Sequence, residues 1–406
     1  VAQIVYSSPL GCGIEEKLRM NKRNHYLDGS TLLMRVVCAV IFILFSVLYL
    51  WRFQANTLAF SQHVLSRGAT HYQPVVGTVV ITIVLLLVAT AMQRLSRLWR
   101  NFHWLVYMPS MLLLVMLTDV SADMDLHFSL LKWCWIIPLV MTLWGVGVFF
   151  ARNIQEIEDH GHVGLFERPM WINLLCMCLM MIGVGLAGNG NSIFHYIMEI
   201  ETNIQHGRYD EAMRVGRRNP HADANLTMLR TYVLAHQGQL GELIFTYPVK
   251  ATSSDLVPVT GQTRCRMMPT DSIYRLLGAK PLKGMTTEAY LRALLITGQA
   301  TPAVADYILT GYLIDRKIDA FAKELPKHYA INDSLPRHYR EALVLYNHIR
   351  SNPVVVYHNS VMDTDFEDMQ KLEARFEKRS AKNINVYDNY AGTYWWYYEY
   401  GYGTKQ

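Results

Sequence analysis

The sequence predicts an all-α protein in two parts, a five-helix transmembrane bundle followed by a domain of paired helices. Hydrophobic residues make up 51% of the 406 residues and charged residues only 17%, which is unusual for a soluble protein of this length. Long uncharged runs crowd the first half of the chain, whereas charged residues crowd the second half. The stretch QHGRYDEAMRVG, residues 205–216, is typical of a tight turn between two helices.

Five apolar runs are long enough to cross a membrane. A helix that crosses the hydrocarbon layer of about 30 Å needs about 20 mostly apolar residues. The third run is the shortest, but Trp104 and Tyr107 at one end suit the aromatic belt at a membrane interface. The predicted spans are residues 32–51, 74–92, 104–120, 130–150 and 170–188.

Basic residues beside the spans predict the orientation, because such residues are retained on the cytoplasmic side. One set of flanks carries ten lysines and arginines, and the opposite set carries only Arg52, Arg67 and Lys132. We therefore expect a bacterial inner-membrane protein with a cytoplasmic N-terminus and, after an odd number of crossings, a periplasmic C-terminal part. The expected domains are a cytoplasmic segment 1–30, a transmembrane domain 31–188, a periplasmic helical-repeat domain 189–380 and an aromatic tail 381–406.

The first helix pair of the outer part is predicted from a Gly-x-Tyr-x-x-Ala pattern. Gly207 allows two antiparallel helices to turn tightly, Tyr209 fills the gap between them, and Ala212 permits close approach of the next helix. Tyr196, thirteen residues before Tyr209, falls where the first helix would offer an aromatic ring. This pattern resembles a tetratricopeptide hairpin.

A second helix pair follows, and its sequence matches the pattern less closely. Gly238 repeats the turn glycine 31 residues after Gly207, and Leu240 takes the place of the aromatic residue. The predicted architecture is thus a tetratricopeptide-like stack of helix pairs, and an ordinary helical bundle without repeat geometry is the alternative.

Two further stretches carry a second resemblance. They are LPRHYREAL at Leu335–Leu343 and GTYWWYYEYG at Gly392–Gly401. With the overall arrangement, they resemble a family of uncharacterised bacterial multi-pass membrane proteins with a helical outer part and an aromatic tail. That resemblance implies architecture and no particular activity. The tail could cap the last helix pair, lie on the bilayer surface or bind a ligand.

The function that these features favour is a membrane-anchored protein-interaction module. Stacked helix pairs leave one concave face, which normally receives an extended peptide or a helix. The expected partners are therefore the lipid bilayer and a protein or peptide. Candidate binding residues are polar side chains of first helices and two tail tryptophans, namely Asn203, Arg230, Trp395 and Trp396.

The alternative is a multi-pass membrane enzyme of envelope or lipid-linked glycan assembly. Its site would lie in the outer loop DVSADMDLHF, whose polar residues are Asp119, Asp123, Asp125 and His127. A solvated acidic connection explains the same residues. We predict no metal and no cofactor, and the sequence assigns no catalytic role to a particular residue. The two halves carry net charges of only +3 and +2, which argues against a nucleic-acid partner.

Overall fold

The structure, a computed structural model, describes residues 32–98, 100–126, 131–157, 168–217 and 219–402. Within these ranges the chain is all-α and contains no β-strand, as predicted. The chain divides into two compact units, Val1–Gly190 and Asn191–Gln406. The segment 1–30 and His127 lie outside the described residues.

Five long apolar helices lie in the first half of the chain, as predicted, and their ends differ from the predicted spans by a few residues. A short helix, α2 (Ala55–Ser66), follows the first of them, and the last turn of that first helix, Tyr49–Phe53, is π-helical. The spans are α1 (Leu32–Phe53), α3 (Pro74–Ser96), a third span at Asn101–Thr118 that ends in α4 (Met108–Thr118), α5 (Leu131–Ile157) and α6 (Arg168–Ala187).

The faces that these helices turn outward are apolar, and polar side chains point inward. On α3, for example, Val79 and Ile83 are exposed, whereas Thr78 and Thr82 are buried. An exposed apolar surface of this extent is unfavourable in water and suits a bilayer. The first unit therefore contains five helices that are long and apolar enough to cross a membrane, which suggests a membrane protein.

The third span lies at the centre of the bundle. Half of its apolar window is buried, compared with 17–28% for the other four spans, and it packs against α3, α5 and α6. Its first part, Arg100–Tyr107, is a 3-10 helix, which rises about 2.0 Å per residue instead of about 1.5 Å. That steeper rise lets the shortest predicted span reach across a hydrocarbon layer of about 30 Å.

The second unit contains twelve α-helices among its described residues. They are α7 (Ser192–Gln205), α8 (Tyr209–Arg214), α9 (Ala224–His236), α10 (Leu240–Leu243), α11 (Asp271–Leu277), α12 (Thr287–Thr297), α13 (Pro302–Ile314), α14 (Ile318–Glu324), α15 (Arg337–Ile349), α16 (Ser360–Ala374), α17 (Arg379–Tyr390) and α18 (Tyr394–Tyr400). Several begin at a side-chain cap. The carboxylate of Asp223 accepts the Leu226 N–H, and the Thr393 hydroxyl accepts the Trp396 N–H, so these positions fix where α9 and α18 start.

Three helix pairs of this unit, α7–α8, α9–α10 and α13–α14, share one turn geometry. At the centre of each turn stands a residue in the left-handed region, with φ of +69° at Gly207, +66° at Gly238 and +58° at Arg316. The residue after it donates its N–H to a carbonyl five positions earlier, with an N···O distance of 2.8 Å in all three turns. The three turns are therefore repeats of one local structure.

The first helices of these pairs form the core, and another part of the chain covers them. Most residues of α9 and α13 are buried, because the segment 250–268 crosses both helices and α7. Glu201 of α7 accepts the backbone N–H groups of Arg266, Met267 and Met268. Burial raises the pKa of the Glu201 carboxyl, and these three N–H donors oppose that effect. The chain thus occupies the surface that an open peptide groove would need.

Candidate functional site

A buried histidine–glutamate pair lies in the centre of the C-terminal half of the second unit. His338 and Glu341 are one turn apart on α15 and almost inaccessible to solvent. The His338 Nδ1 lies 2.9 Å from the Glu341 Oε2, and its Nε2 lies 3.3 Å from the Phe245 backbone N–H, which can only donate. These two contacts together fit a neutral ring that carries its proton on Nδ1.

The same carboxylate holds the C-terminal aromatic helix in place. The Glu341 Oε2 accepts the backbone N–H of Tyr394 at 2.7 Å, and the Glu341 backbone oxygen accepts the Trp395 indole N–H at 2.7 Å. The Glu341 Oε1 accepts the Arg337 Nε at 2.7 Å. Glu341 therefore joins α15 to α18, and with them the two stretches LPRHYREAL and GTYWWYYEYG.

Aromatic rings and a second cation complete the attachment of α18. The Phe245 ring packs against Tyr394 and Tyr397 with centroid distances of 5.1 and 4.7 Å. Arg316, at the turn between α13 and α14, donates to the carbonyls of Tyr397 and Tyr398 and lies over the Tyr397 ring. The left-handed conformation of Arg316 is strained for a residue with a side chain, and these contacts offset that strain.

A third polar group is also turned inward. The Oδ1 of Asp306, on α13, accepts the hydroxyls of Tyr329 and Tyr339 at 2.7 and 2.9 Å. Burial raises the pKa of the Asp306 carboxyl, and the two hydroxyl donors oppose that rise. Asp306 thus ties α13 to α15 and to the loop that precedes α15.

The chemistry of these groups is structural. Catalysis requires that a substrate reach the reacting side chain, and His338 and Glu341 have no exposed surface for one. The cavity between α12 and α13 measures about 30 Å³, enough for a single water molecule. Among the described residues no group of histidines, cysteines and carboxylates is placed to bind a metal ion.

One accessible feature of this half is an apolar segment, which we call the valine loop and define as residues 351–361, the connection to α16 together with the first two residues of that helix. Val354, Val356 and Val361 are exposed by 67%, 60% and 68%. The loop has a fixed shape, because its backbone and polar residues bond to α15 and to the loop that precedes α15. These bonds run from the Val354 N–H to the Tyr346 hydroxyl, from the Asn347 amide to the Tyr357 carbonyl, and from Tyr357 and Asn359 to the Asp333 carboxylate.

The predicted repeat-packing residues occupy the first two hairpins. Gly207 and Gly238 form the turns, and Ala212 and Leu240 are buried on the second helices. The ring of Tyr209 stacks on His236 at the end of α9 at 3.9 Å, and so contacts the next pair. Tyr196 covers the turn at Gly216, where a Cβ would lie 2.8 Å from its ring, and accepts the Asn219 amide N–H.

The candidate groove residues Asn203 and Arg230 lie in the interior and do not line a surface groove. The guanidinium of Arg230 donates to the carbonyls of Gly216 and Pro248 and lies over the Tyr247 ring, so it holds a turn together. Burial lowers the pKa of Arg230 to about 10. The turn at Gly216 and the neighbouring Tyr247–Pro248 stretch bury the Arg230 side chain.

The two tail tryptophans have different surroundings. Trp395 is buried against Phe366 of α16 and bonds to the Glu341 carbonyl. Trp396 is half-buried, donates to the Asn383 amide oxygen and packs against Tyr387 of α17. Trp395 is therefore a core residue, and Trp396 joins α17 to α18.

The polar residues of the outer loop do not gather at one place among the residues described. Asp119 accepts the indole N–H of Trp133 and pairs with Lys132, and so connects the end of α4 to the start of α5. Asp123 and Asp125 are exposed, and His127 lies outside the described residues. Nothing in this arrangement favours the loop as a catalytic site.

Sequence reasoning missed the His338–Glu341 pair, Asp306 and the valine loop. The pair had a signal in the i, i+3 spacing of His338 and Glu341, on a helix that continues as the apolar run Ala342–Leu345. The valine loop also had one, in the run PVVVY placed between two helices. The sequence contained no signal for the role of Asp306, because its hydrogen-bond partners are 23 and 33 residues away.

One comparison with known proteins bears on this region. Residues 283–401 match a family of unknown function, DUF6057. The match covers the pair, the valine loop and most of the aromatic tail, but less than a third of the chain. No curated protein and no solved structure matches the chain. The match thus supports the resemblance to an uncharacterised family and assigns no activity.

Proposed function

We propose that the protein is a membrane-anchored interaction module that binds a protein partner through the valine loop. In this proposal the spans fix the module to a bacterial inner membrane, and the second unit, a tetratricopeptide-like domain, faces the periplasm. The excess of basic residues on one set of span flanks supports the orientation. The three equivalent turns support the repeat character.

The valine loop is the observation that carries the proposal. Exposed apolar residues that cluster on a surface mark contact sites, and a loop already held in shape loses little conformational entropy on binding. Fully burying one valine contributes about 1.5–3 kcal/mol, so the three partly exposed valines could contribute roughly 3–6 kcal/mol before the costs of association. That is sufficient for hot-spot residues of a specific interface.

The enzyme alternative has no comparable support. The inward-facing acidic groups in the second unit are already engaged by N–H and O–H donors of the chain. We therefore place the function at the valine loop and not at a reactive centre.

A site-specific photo-crosslinker tests this proposal in native membranes. The crosslinking residue replaces Val356 in the full chain, and a matched variant carries it at Ile296, which is exposed by 86% on α12. We expect a discrete protein adduct from position 356 and none from position 296. The adduct should disappear when Val354→Glu is added, because a charge at the contact must be desolvated. Identical adducts from both positions, or an adduct unaffected by Val354→Glu, would contradict the proposal.

A further inference from the structure

An open cavity of about 260 Å³ lies where the end of α16, the start of α17 and the end of α18 meet. It is far larger than the cavity of about 30 Å³ between α12 and α13. Three carboxylates, two cations and one phenol line it, namely Glu373, Glu377, Glu399, Arg379, Lys382 and Tyr400. Five charged side chains therefore surround one space that solvent can enter.

Contacts between the three helices fix the walls of this cavity. The Tyr400 hydroxyl donates to the Glu373 Oε1 at 2.8 Å and so joins the end of α18 to the end of α16. The Arg379 guanidinium donates to the Glu399 backbone carbonyl, which joins α17 to α18. Its central carbon also lies 5.7 Å from the centroid of the Tyr400 ring. The cavity is therefore formed before any ligand arrives, which lowers the entropic cost of binding.

The opposite charges around the cavity do not pair with one another. Among the described residues, neither Arg379 nor Lys382 forms an ion pair with any of the three lining carboxylates. Elsewhere on α16 such pairing does occur, because the Lys371 ammonium lies 3.0 Å from the Asp368 carboxylate. The cavity thus keeps cations and carboxylates apart, and a ligand that carries both signs of charge can contact both.

The balance of charge selects the ligand class. Three carboxylates outnumber two cations, so the lining has one negative charge in excess. Burial and the nearby Glu373 carboxylate raise the pKa of the Glu399 carboxyl, which shows that this excess is poorly compensated by the protein. An anion would be repelled, and a ligand with ammonium groups alone would face the two cations unmatched. Among the described residues no group of carboxylates is placed to bind a metal ion. Two ammonium groups and one carboxylate on the same molecule match the lining.

The volume of the cavity limits the size of the ligand. A protein cavity of about 150 Å³ holds benzene, so the volume here has room for about ten non-hydrogen atoms, which is the size of lysine. We propose that this cavity binds a free basic amino acid, with lysine as the best match in size and charge. The site goes beyond the interaction module, because Glu373 lies about 18 Å along α16 from the valine loop residue Val361. Its occupancy therefore does not depend on the partner of that loop.

Titration calorimetry on the detergent-solubilised full chain tests the ligand class. Lysine is compared with norleucine, which lacks the side-chain ammonium, and with cadaverine, which lacks the carboxylate. The loss of one charged contact weakens binding about tenfold or more, so we expect both analogues to bind at least about tenfold more weakly than lysine. No saturable binding of lysine would overturn the site, and equal affinities for all three compounds would overturn the ligand assignment.

Two variants place the ligand in this cavity. Glu377→Gln and Lys382→Met remove one charge of each sign, and neither side chain bonds to another part of the described chain, so the Tm should not change. We expect each variant to bind lysine about tenfold more weakly. Lys378→Met is the matched control, because it makes the same change in net charge at an exposed position outside the cavity. It should bind lysine as the unaltered chain does.

The analogue without a carboxylate shows which charge Lys382 recognises. If the Lys382 ammonium pairs with the carboxylate of lysine, Lys382→Met should weaken the binding of lysine and leave the binding of cadaverine unchanged or stronger. A loss of lysine binding that is equal in Lys382→Met and Lys378→Met would show a general effect of net charge and overturn the site. Unchanged lysine binding in both Glu377→Gln and Lys382→Met would overturn it as well.

Discussion

The substitution Glu341→Gln tests whether one buried carboxylate holds the C-terminal helix. A glutamine keeps the shape of the side chain but replaces one acceptor oxygen by a donor. If its NH2 group takes the place of the Oε1, the bond from Arg337 is lost, and the bonds from His338 and Tyr394 lose their charge assistance. If it takes the place of the Oε2, it faces two other donors.

The expected loss follows from these contacts. Hydrogen bonds to a charged group contribute about 1.5–3 kcal/mol and neutral ones about 0.5–1.5, so weakening two bonds costs about 2–3 kcal/mol. For a unit of this size, 1 kcal/mol shifts the Tm by about 2–4 °C, so we expect Glu341→Gln to lower it by roughly 5–10 °C. Arg337→Ala is the matched control, because it removes a bond that a partly exposed arginine donates and should cost less than about 1 kcal/mol.

Two measurements on the detergent-solubilised full chain check this reasoning. Thermal unfolding gives the Tm, and limited proteolysis reports whether the 379–402 region becomes accessible before the rest of the unit. We expect early cleavage there in Glu341→Gln and not in Arg337→Ala. If the two variants melt and are cleaved alike, the carboxylate does not secure α18, and our account of the site is wrong.

Three other predictions address the pH dependence, the third turn and the orientation. Burial raises the pKa of Asp306 above its unfolded value, so the folded state binds more protons between the two pKa values and loses stability as the pH rises through the folded pKa. Asp306→Asn should remove that loss in thermal melts run at increasing pH from about 4, the ordinary pKa of an aspartate. Arg316→Ala should lower the Tm, because it releases the Tyr397 and Tyr398 carbonyls while the alanine keeps the same strained positive φ as the arginine. Arg316→Gly should lower the Tm less, because glycine relieves a strain of about 1 kcal/mol. An unchanged Tm in Arg316→Ala would contradict the role of Arg316. A C-terminal alkaline phosphatase fusion should be active and a C-terminal green fluorescent protein fusion dark, and the reverse pattern would refute the periplasmic placement.

The sequence was sufficient to predict the spans, because length and composition decide whether a helix can cross a bilayer. It was not sufficient for the third span's 3-10 segment, whose Leu105 carbonyl bonds to the Trp144 indole of α5, a contact 39 residues away. The sequence did not predict the third hairpin, α13–α14, as a repeat of the first two, because its turn has Arg316 at the position where they have glycine. Asn203 and Arg230 were expected at a surface because polar side chains usually are, and only tertiary packing shows that both are buried.

The attachment of α15 to α18 has a consequence for biosynthesis. The carboxylate of Glu341 enters the interior with two of its donors supplied by α15, but the third comes from Tyr394, which the ribosome makes more than fifty residues later. Until that late stretch emerges, the nascent domain carries an incompletely bonded acid in an apolar setting, which is a poor state to bury. The domain can therefore complete its folding only near the end of translation. A prematurely terminated chain would leave its apolar core exposed to proteases.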